Sequence, residues 1–166
     1  MTQFEPASAR IGLGLGSNLG DSSDHLRQAV EQLSRAGVRF EALSSLYRSP
    51  PWGVLDQPEF VNACALARTE LKPLALLDLV QNIEKTMGRR KTRRWGPRLI
   101  DIDVLFYGDV AIRHPRLTLP HEAILQRAFV LAPLAEIAPD LILGGQTVTE
   151  ALAHVDSAGL ERIGAF

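Results

Sequence analysis

The 166-residue sequence lacks several features that would assign it to a class of protein at once. It has a single cysteine, Cys64, so an internal disulfide is impossible. A lone thiol in a strand-like segment is typical of a core residue in a reducing compartment. There is no apolar run approaching the roughly 18 residues of a membrane span, and the sequence does not start like a signal peptide. These absences predict a cytoplasmic protein that has no membrane partner.

The sequence also lacks an overall excess of positive charge. It contains 18 basic and 19 acidic residues, a formal net charge of −1, which argues against a dedicated nucleic-acid binder. No internal repeat or low-complexity linker divides the chain, and its length fits one domain with a substantial core. We expect a flexible N-terminal tail over residues 1–10 and a single domain over residues 11–166.

Positive charge is instead concentrated in residues 88–98, Gly-Arg-Arg-Lys-Thr-Arg-Arg-Trp-Gly-Pro-Arg. Asp101 and Asp103 follow directly, inside an apolar, β-branched run. Because side chains alternate across a strand, both carboxylates would lie on one face, about 7 Å apart. Such a pair can share hard cations, and the basic segment beside it could hold a polyanion bridged to them. The combination favours a site for metal and phosphate, and hence phosphoryl-type chemistry.

The hydrophobic pattern predicts the order strand, helix, strand, strand, helix, strand. This βαββαβ order is typical of a ferredoxin-like core in the α+β class, with a mainly antiparallel sheet, helices on one face and C-terminal additions. The opposite face would then be open and carry Phe60, Asn62, Asp101 and Asp103. The expected elements are a strand at 11–15, a helix capped by Asp21 or Ser22 and ended by Gly37, strands at 38–48 and 60–67, a helix from Pro73 to Gly88, the strand of Asp101, and a last short helix capped by Thr147.

Three other functions are compatible with parts of this pattern. An RNA-binding module on the same framework would use the basic segment and Phe60, but Asp101 and Asp103 would repel phosphates without a metal. A non-catalytic regulatory domain of the same fold would not explain two aspartates beside an arginine-rich segment. A nucleotide-binding dehydrogenase would explain the glycines of residues 12–16, but the later elements do not continue as parallel units.

Several motifs together resemble one family, the 6-hydroxymethyl-7,8-dihydropterin pyrophosphokinases. The resemblance extends over about residues 11–139, and its most specific part is Arg-Trp-Gly-Pro-Arg followed by Asp-x-Asp. The matching segments are Gly-Ser-Asn-Leu-Gly-Asp at 16–21, Tyr-Arg-Ser-Pro-Pro-Trp-Gly at 47–53, Gln-Pro-Glu-Phe-Val-Asn-Ala at 57–63, Glu84, Gly-Arg at 88–89, Arg-Trp-Gly-Pro-Arg at 94–98, Asp-Ile-Asp at 101–103, Leu-Pro-His at 119–121 and Arg-Ala-Phe at 127–129.

The resemblance implies transfer of a pyrophosphoryl group from ATP to the hydroxymethyl oxygen of the dihydropterin, with release of AMP, in folate biosynthesis. It implies two Mg²⁺ ions held by Asp101 and Asp103. ATP and the pterin would be the partners of a protein that we expect to be a monomer. The catalytic residues implied are Arg89, Lys91, Arg98, Asp101 and Asp103.

The resemblance also implies the residues that contact each substrate. Lys91 and Glu122 depart from the family pattern: Lys91 replaces a common arginine, and Glu122 replaces a common proline or tyrosine. The ATP contacts implied are Gln81, Glu84, Arg89, Lys91, Arg94, Trp95, Arg98, Ile102, His121 and Arg127. The pterin contacts implied are Ser49, Pro50, Trp52, Phe60, Asn62, Asp101 and Phe129, with the ring between the two phenylalanines.

Overall fold

A computed structural model describes residues 7–51, 56–88 and 99–166 of the chain. The first strand begins at Ala9, within the tail that we expected over residues 1–10, and the division into tail and domain stays a prediction. The elements are β1 (Ala9–Ser17), α1 (Ser22–Arg35), β2 (Arg39–Leu43), β3 (Leu46–Ser49), β4 (Phe60–Thr69), α2 (Pro73–Thr86), β5 (Asp101–Tyr107), β6 (Ile112–His114), β7 (Leu117–Leu119), a 3-10 turn (Ile124–Gln126), α3 (Ala128–Ile137), β8 (Ile142–Leu143), β9 (Gln146–Thr147), α4 (Val148–Ala153) and β10 (Glu161–Gly164).

The main sheet has the strand order β10-β3-β4-β1-β5, and β2 also pairs with β4. Every neighbouring pair in it is antiparallel. The predicted α+β fold with a mainly antiparallel sheet is therefore confirmed. Two small hairpins, β6-β7 and β8-β9, and the edge strand β10 were not predicted from the sequence.

The single strand predicted over residues 38–48 is wrong, because the chain forms two strands that bend apart at Ser44 and Ser45. β2 pairs with one part of β4 and β3 with the other. At the bend, the Ser44 amide donates to the Cys64 carbonyl, and the Ser44 hydroxyl accepts from the Cys64 amide, both at 2.9 Å. The serine side chain thus replaces a backbone carbonyl in the ladder, which keeps the buried amide bonded where the strand is interrupted.

Helices α1 and α2 cover one face of the sheet, as predicted. Asp21 caps α1 by accepting from the Asp24 amide at 3.2 Å, and Gly37 follows the helix with φ +98°. Pro73 opens α2, where its missing N–H costs no helical hydrogen bond. None of the helices in the described parts of the chain has the length and apolarity needed to span a membrane. The helix residues buried against the sheet are Leu26, Ala29, Leu33, Leu76, Val80 and Ile83.

The opposite face is less open than we expected, because α3 covers part of it. Leu131 and Leu134 are completely buried there and belong to a second core cluster together with Cys64 and Leu66. Thr147 caps α4 as predicted, accepting from the Glu150 amide at 3.1 Å. The C-terminal additions therefore form a second layer over one part of the sheet and leave the remainder exposed to a cavity.

Candidate active site

Two glycines of β1 form the floor of a cavity on this second face. In the strand register, Gly16 lies between Asn62 of β4 and Asp101 of β5. Gly14 lies between Cys64 and Asp103 in the neighbouring row. Adjacent strands are about 4.8 Å apart, so the strands that carry Asn62 and Asp101 are separated by about 9.6 Å. The strand between them has no side chain at these positions. A flat group can lie against the backbone there.

Asn62 is fixed at one side of this floor. The residue is only 6% exposed, and its side-chain nitrogen donates to the Ser49 hydroxyl at 2.7 Å. A Cβ atom on Gly16 would lie 3.1 Å from the Asn62 side-chain oxygen, so that oxygen projects closely over the floor. An amide held in this way presents a defined edge for hydrogen bonds to a heterocycle.

The cavity above the floor has a volume of about 330 Å³. That is within the usual range for small-molecule sites. Phe60 and Phe129 both line it, and the Arg127 guanidinium lies 5.7 Å from the centre of the Phe129 ring. The lining includes Gly14, Gly16, Ser49, Pro50, Phe60, Asn62, Cys64, Leu77, Gln81, Glu84, Asp101, Ile102, Asp103, Arg127, Phe129 and Val130.

Three carboxylates lie along the side of the cavity opposite Asn62. Asp101 and Asp103 line it from β5, while the intervening Ile102 borders the cavity but belongs to the core cluster beneath α1 and α2. The predicted alternation is therefore confirmed. Glu84 of α2 is 4% exposed, and it accepts from the Ile102 amide at 3.3 Å. Helix α2 and strand β5 are thus connected at the acidic side of the cavity.

The donor set fits magnesium bound together with a nucleotide. Among the described residues, no group of three or more His, Cys, Asp or Glu side chains is arranged to hold a metal ion by itself. Mg²⁺ commonly takes only one or two protein carboxylates and completes its octahedron with phosphate oxygens and water. Asp101 and Asp103 supply that number of oxygen ligands on one face of a rigid strand.

His121 differs from the other predicted site residues because, within the described chain, it is not part of the cavity lining. Burial, and then the positive charge of Arg127, lower the pKa of its imidazole, so the ring is neutral at neutral pH. The Ala123 amide donates to Nδ1 at 3.2 Å, which places the ring proton on Nε2. That nitrogen is a donor, as a contact with phosphate requires.

The predicted residues on the basic segment and on the proline-rich loop cannot be compared with the structure. Trp52, Arg89, Lys91, Arg94, Trp95 and Arg98 lie outside the described residues. The remaining predicted residues of both substrate sets, apart from His121, lie around one cavity. The structure therefore brings together side chains from five separate segments that sequence spacing alone could not connect.

Sequence reasoning missed the glycine floor, as well as the contributions of Cys64 and Val130 to the lining. The signal was present in the alternation of Gly12, Gly14 and Gly16, which places three glycines on one face of a strand. We compared these glycines with a nucleotide-binding turn, although their period of two is typical of a strand face with little side-chain volume.

Comparison with known proteins agrees with this geometry. The family model for 7,8-dihydro-6-hydroxymethylpterin-pyrophosphokinase (HPPK) matches residues 12–139. The chain belongs to this family. It is therefore a pyrophosphokinase of folate biosynthesis, and the RNA-binding, regulatory and dehydrogenase alternatives are set aside.

Relatives of the HPPK family align over almost the whole chain. A 2-amino-4-hydroxy-6-hydroxymethyldihydropteridine pyrophosphokinase of Methylorubrum extorquens is 54% identical over 93% of this chain and 98% of its own length. The enzyme of the same name from Pseudomonas aeruginosa is 44% identical, over 93% of this chain and 96% of its own length.

Solved structures show the same fold at low sequence identity. The HPPK-DHPS of Plasmodium falciparum, carrying A437G and K540E, was solved with pterin and p-hydroxybenzoate. It superposes with a TM-score of 0.74 at 14% identity. The match covers 97% of this chain and 48% of that longer one, so the chain spans about half of the solved protein. At this identity the likeness supports the fold alone.

Proposed function

We propose that the enzyme transfers the pyrophosphoryl group of ATP to the hydroxymethyl oxygen of 6-hydroxymethyl-7,8-dihydropterin, giving the pterin diphosphate and AMP. The observation that carries this proposal is the arrangement across the cavity floor. A buried amide, Asn62, lies on one side of the glycine floor, and the aspartates 101 and 103 lie on the other. The first suits a neutral heterocycle and the second suits metal-bound phosphate.

The pterin is assigned to the side of Asn62. Its amide edge would bond to the Asn62 side chain, while Ser49 and Pro50 close that end of the cavity. Phe60 and Phe129 would stack on the ring, and an offset aromatic pair contributes about 0.5–1.5 kcal/mol beyond the buried area. The hydrogen bonds then select the heterocycle, and the stacking supplies affinity.

The nucleotide is assigned to the side formed by α2 and β5. Gln81 and Glu84 are three residues apart on α2, and both line the cavity with Ile102. Arg127 and the Nε2 donor of His121 would contact phosphate oxygens. Arg89, Lys91, Arg94, Trp95 and Arg98 are assigned to the same phosphates and to the nucleotide from the sequence resemblance alone.

Catalysis in this proposal depends on alignment and electrostatics rather than on a dedicated base. Two Mg²⁺ ions bound by Asp101 and Asp103 would neutralise phosphate charge and polarise the attacking hydroxyl. The protein contributes by holding the carboxylates on a rigid strand, and by keeping the hydroxymethyl group in line with the transferred phosphorus. The cationic side chains Arg89, Lys91 and Arg98 would stabilise the charge that develops during transfer.

The test is nucleotide analysis of a reaction containing ATP and Mg²⁺, with and without 6-hydroxymethyl-7,8-dihydropterin. We expect AMP to form only with the pterin, in a one-to-one ratio with the pterin diphosphate, and no ADP. Formation of ADP instead would show transfer of a single phosphate and contradict the proposal. The monomeric state and the cytoplasmic location are separate predictions, which gel filtration and cell fractionation can check.

A further inference from the structure

Outside the cavity, one carboxylate accepts several hydrogen bonds from a segment about ninety residues earlier in the chain. Glu136 of α3 accepts from the Ser45 amide with both oxygens, at 3.1 Å each, and from the Ser45 hydroxyl at 2.7 Å. It also accepts from the Tyr47 hydroxyl at 2.7 Å. The Arg162 guanidinium donates to the Ser45 hydroxyl at 2.8 Å and so joins the cluster from β10. We call these four residues the Glu136 cluster.

The helix that carries Glu136 also carries an aromatic wall of the cavity. Phe129 and Glu136 are seven residues apart on α3, about 10 Å along the axis and within about 20° of the same side. Pro133 lies between them and lacks the N–H that would bond to the Phe129 carbonyl. With this helical bond missing, the placement of the first turn depends more strongly on the tertiary contacts of α3.

Strand β3, which carries Tyr47 of the cluster, continues to the wall of the cavity opposite Phe129. Tyr47 pairs with Asn62 in the sheet, and Ser49, two residues further along β3, accepts from the Asn62 side chain. Strand β10 runs along β3, and just before it Gly159 lies against the ring of Pro50, where an added Cβ would approach to 2.8 Å. The two walls of the cavity thus belong to elements that Glu136 joins.

We infer that Glu136 is a positioning residue for the pterin side of the site, holding α3 against β3 so that Phe129 stays at a fixed spacing from Ser49 and Asn62. This inference rests on the proposed function, because it assumes that the pterin binds between these walls. Glu136 does not line the cavity, so it acts through the elements that it joins. The α2 and β5 elements of the nucleotide side have no member in the cluster, and among the described residues only Arg127, at the start of α3, connects that side to it. Nucleotide affinity should therefore change less than pterin affinity.

A residue that only stabilises the fold would behave differently. Its loss would lower the melting temperature and leave both substrate affinities unchanged in the folded protein. A positioning residue instead separates the two affinities, because a displacement of about 1 Å between binding groups is enough to weaken binding or catalysis markedly. The split between pterin and nucleotide binding is therefore the informative measurement.

The experiment compares Glu136→Gln with a matched control, Glu31→Gln. Glu31 is an exposed carboxylate that, among the described residues, pairs with Arg35 of its own helix, on the other face of the sheet. Calorimetric titration gives the dissociation constant of the Mg²⁺ complex of α,β-methylene-ATP, and then that of the pterin at saturating analogue. We expect Glu136→Gln to raise the pterin dissociation constant about tenfold and to change that of the analogue less than twofold. Glu31→Gln should change neither.

An unchanged pterin dissociation constant in folded Glu136→Gln would overturn the inference, whatever its melting temperature. If that variant does not fold, Tyr47→Phe removes a single donor from the cluster and should raise the constant about threefold; no change would again contradict us. Wild-type protein that bound the analogue but no pterin would refute the proposed function and this inference together. Normal wild-type binding with unaffected variants would refute the inference alone.

Discussion

Strands β1, β4 and β5 have two faces that differ in the volume and polarity of their side chains. Towards α1 and α2, alternate positions carry Leu13, Ala65 and Val104, all buried in one apolar cluster. Towards the cavity, the positions between them carry glycines, Asn62 and the two aspartates. One face is closed by side chains of ordinary volume, whereas the other leaves its backbone accessible.

This difference shows how a small sheet separates stability from chemistry. A buried aliphatic side chain contributes about 1.5–3 kcal/mol, and the helix-covered face collects many of them. The cavity face contributes less to burial because its glycines have no side chains, and its polar groups are directed towards a ligand. We therefore expect substitutions on the first face to change the free energy of unfolding, and those in the part of the second face that lines the cavity to change binding or turnover.

The largest effect is expected for Asp101→Asn. Removing one charge from the proposed metal ligands should lower the rate of AMP formation about a thousandfold or more, with little change in melting temperature. The control is Asp109→Asn, an exposed aspartate in the turn after β5. Near-normal turnover of Asp101→Asn at limiting Mg²⁺ would contradict the metal assignment.

A large loss of stability, without a loss of pterin affinity, is expected for Leu13→Ala. Leu13 is completely buried on the helix-covered face, so the cavity left behind should lower the free energy of unfolding by about 2–5 kcal/mol. Urea denaturation measures this loss. Pterin affinity at a temperature where the variant is folded should be unchanged, and a selective loss of affinity would break the proposed division between the faces.

A smaller effect is expected for Gly16→Ala, which adds a side chain to the cavity floor. The new methyl group would lie 3.1 Å from the Asn62 side-chain oxygen, so the amide must shift, and pterin affinity should fall about tenfold by titration. Gly12→Ala sharpens the contrast. Its methyl group would lie 2.2 Å from Phe106, a buried core residue, so that variant should lose stability instead.

The smallest effect is expected from the pH dependence of the Glu136 cluster. Burial acts to raise the pKa of the Glu136 carboxyl, but hydrogen bonds from Ser45 and Tyr47 outweigh it and hold the pKa below its usual value. Burial, and then the bond to Glu136, raise the pKa of Tyr47 to about 12.

The pH dependence of the stability follows from the directions of these two pKa shifts. The Glu136 contribution to stability is present above the carboxyl's unfolded pKa of about 4.5 and is lost as pH falls through the lower folded value. The Tyr47 contribution is present below about pH 10 and is lost as pH rises towards 12. The difference in melting temperature between wild type and Glu136→Gln should thus be largest between about pH 5 and 9. A difference that does not shrink in acid would contradict the assignment.

Much of the fold could be predicted because its signals are local. Asp21 and Pro73 begin the two helices, and a glycine follows each of them. These residues act only on their neighbours in the sequence. The bend at Ser44 could not be predicted in this way. The serine hydroxyl meets the amide of Cys64, twenty residues away, and that contact exists only after the sheet has formed.

The candidate site was predictable to the extent that its residues share one strand. The alternation of Asp101 and Asp103 follows from strand geometry, and the structure places both in the cavity. The burial of Glu84 could not be inferred, since a carboxylate on a helix is ordinarily solvated. Here the position of β5 beside α2 covers it and supplies the Ile102 amide as a donor.

The glycine floor has a consequence for inhibitors of this enzyme. A compound spread across Gly14 and Gly16 would rest on main-chain atoms, which a point mutation does not remove. A resistance mutation at Gly14 or Gly16 would have to introduce a side chain, and that side chain would also narrow the space available to the natural substrate. Selectivity between related enzymes would therefore have to come from the walls, where Pro50 and Val130 can be exchanged for side chains of another size.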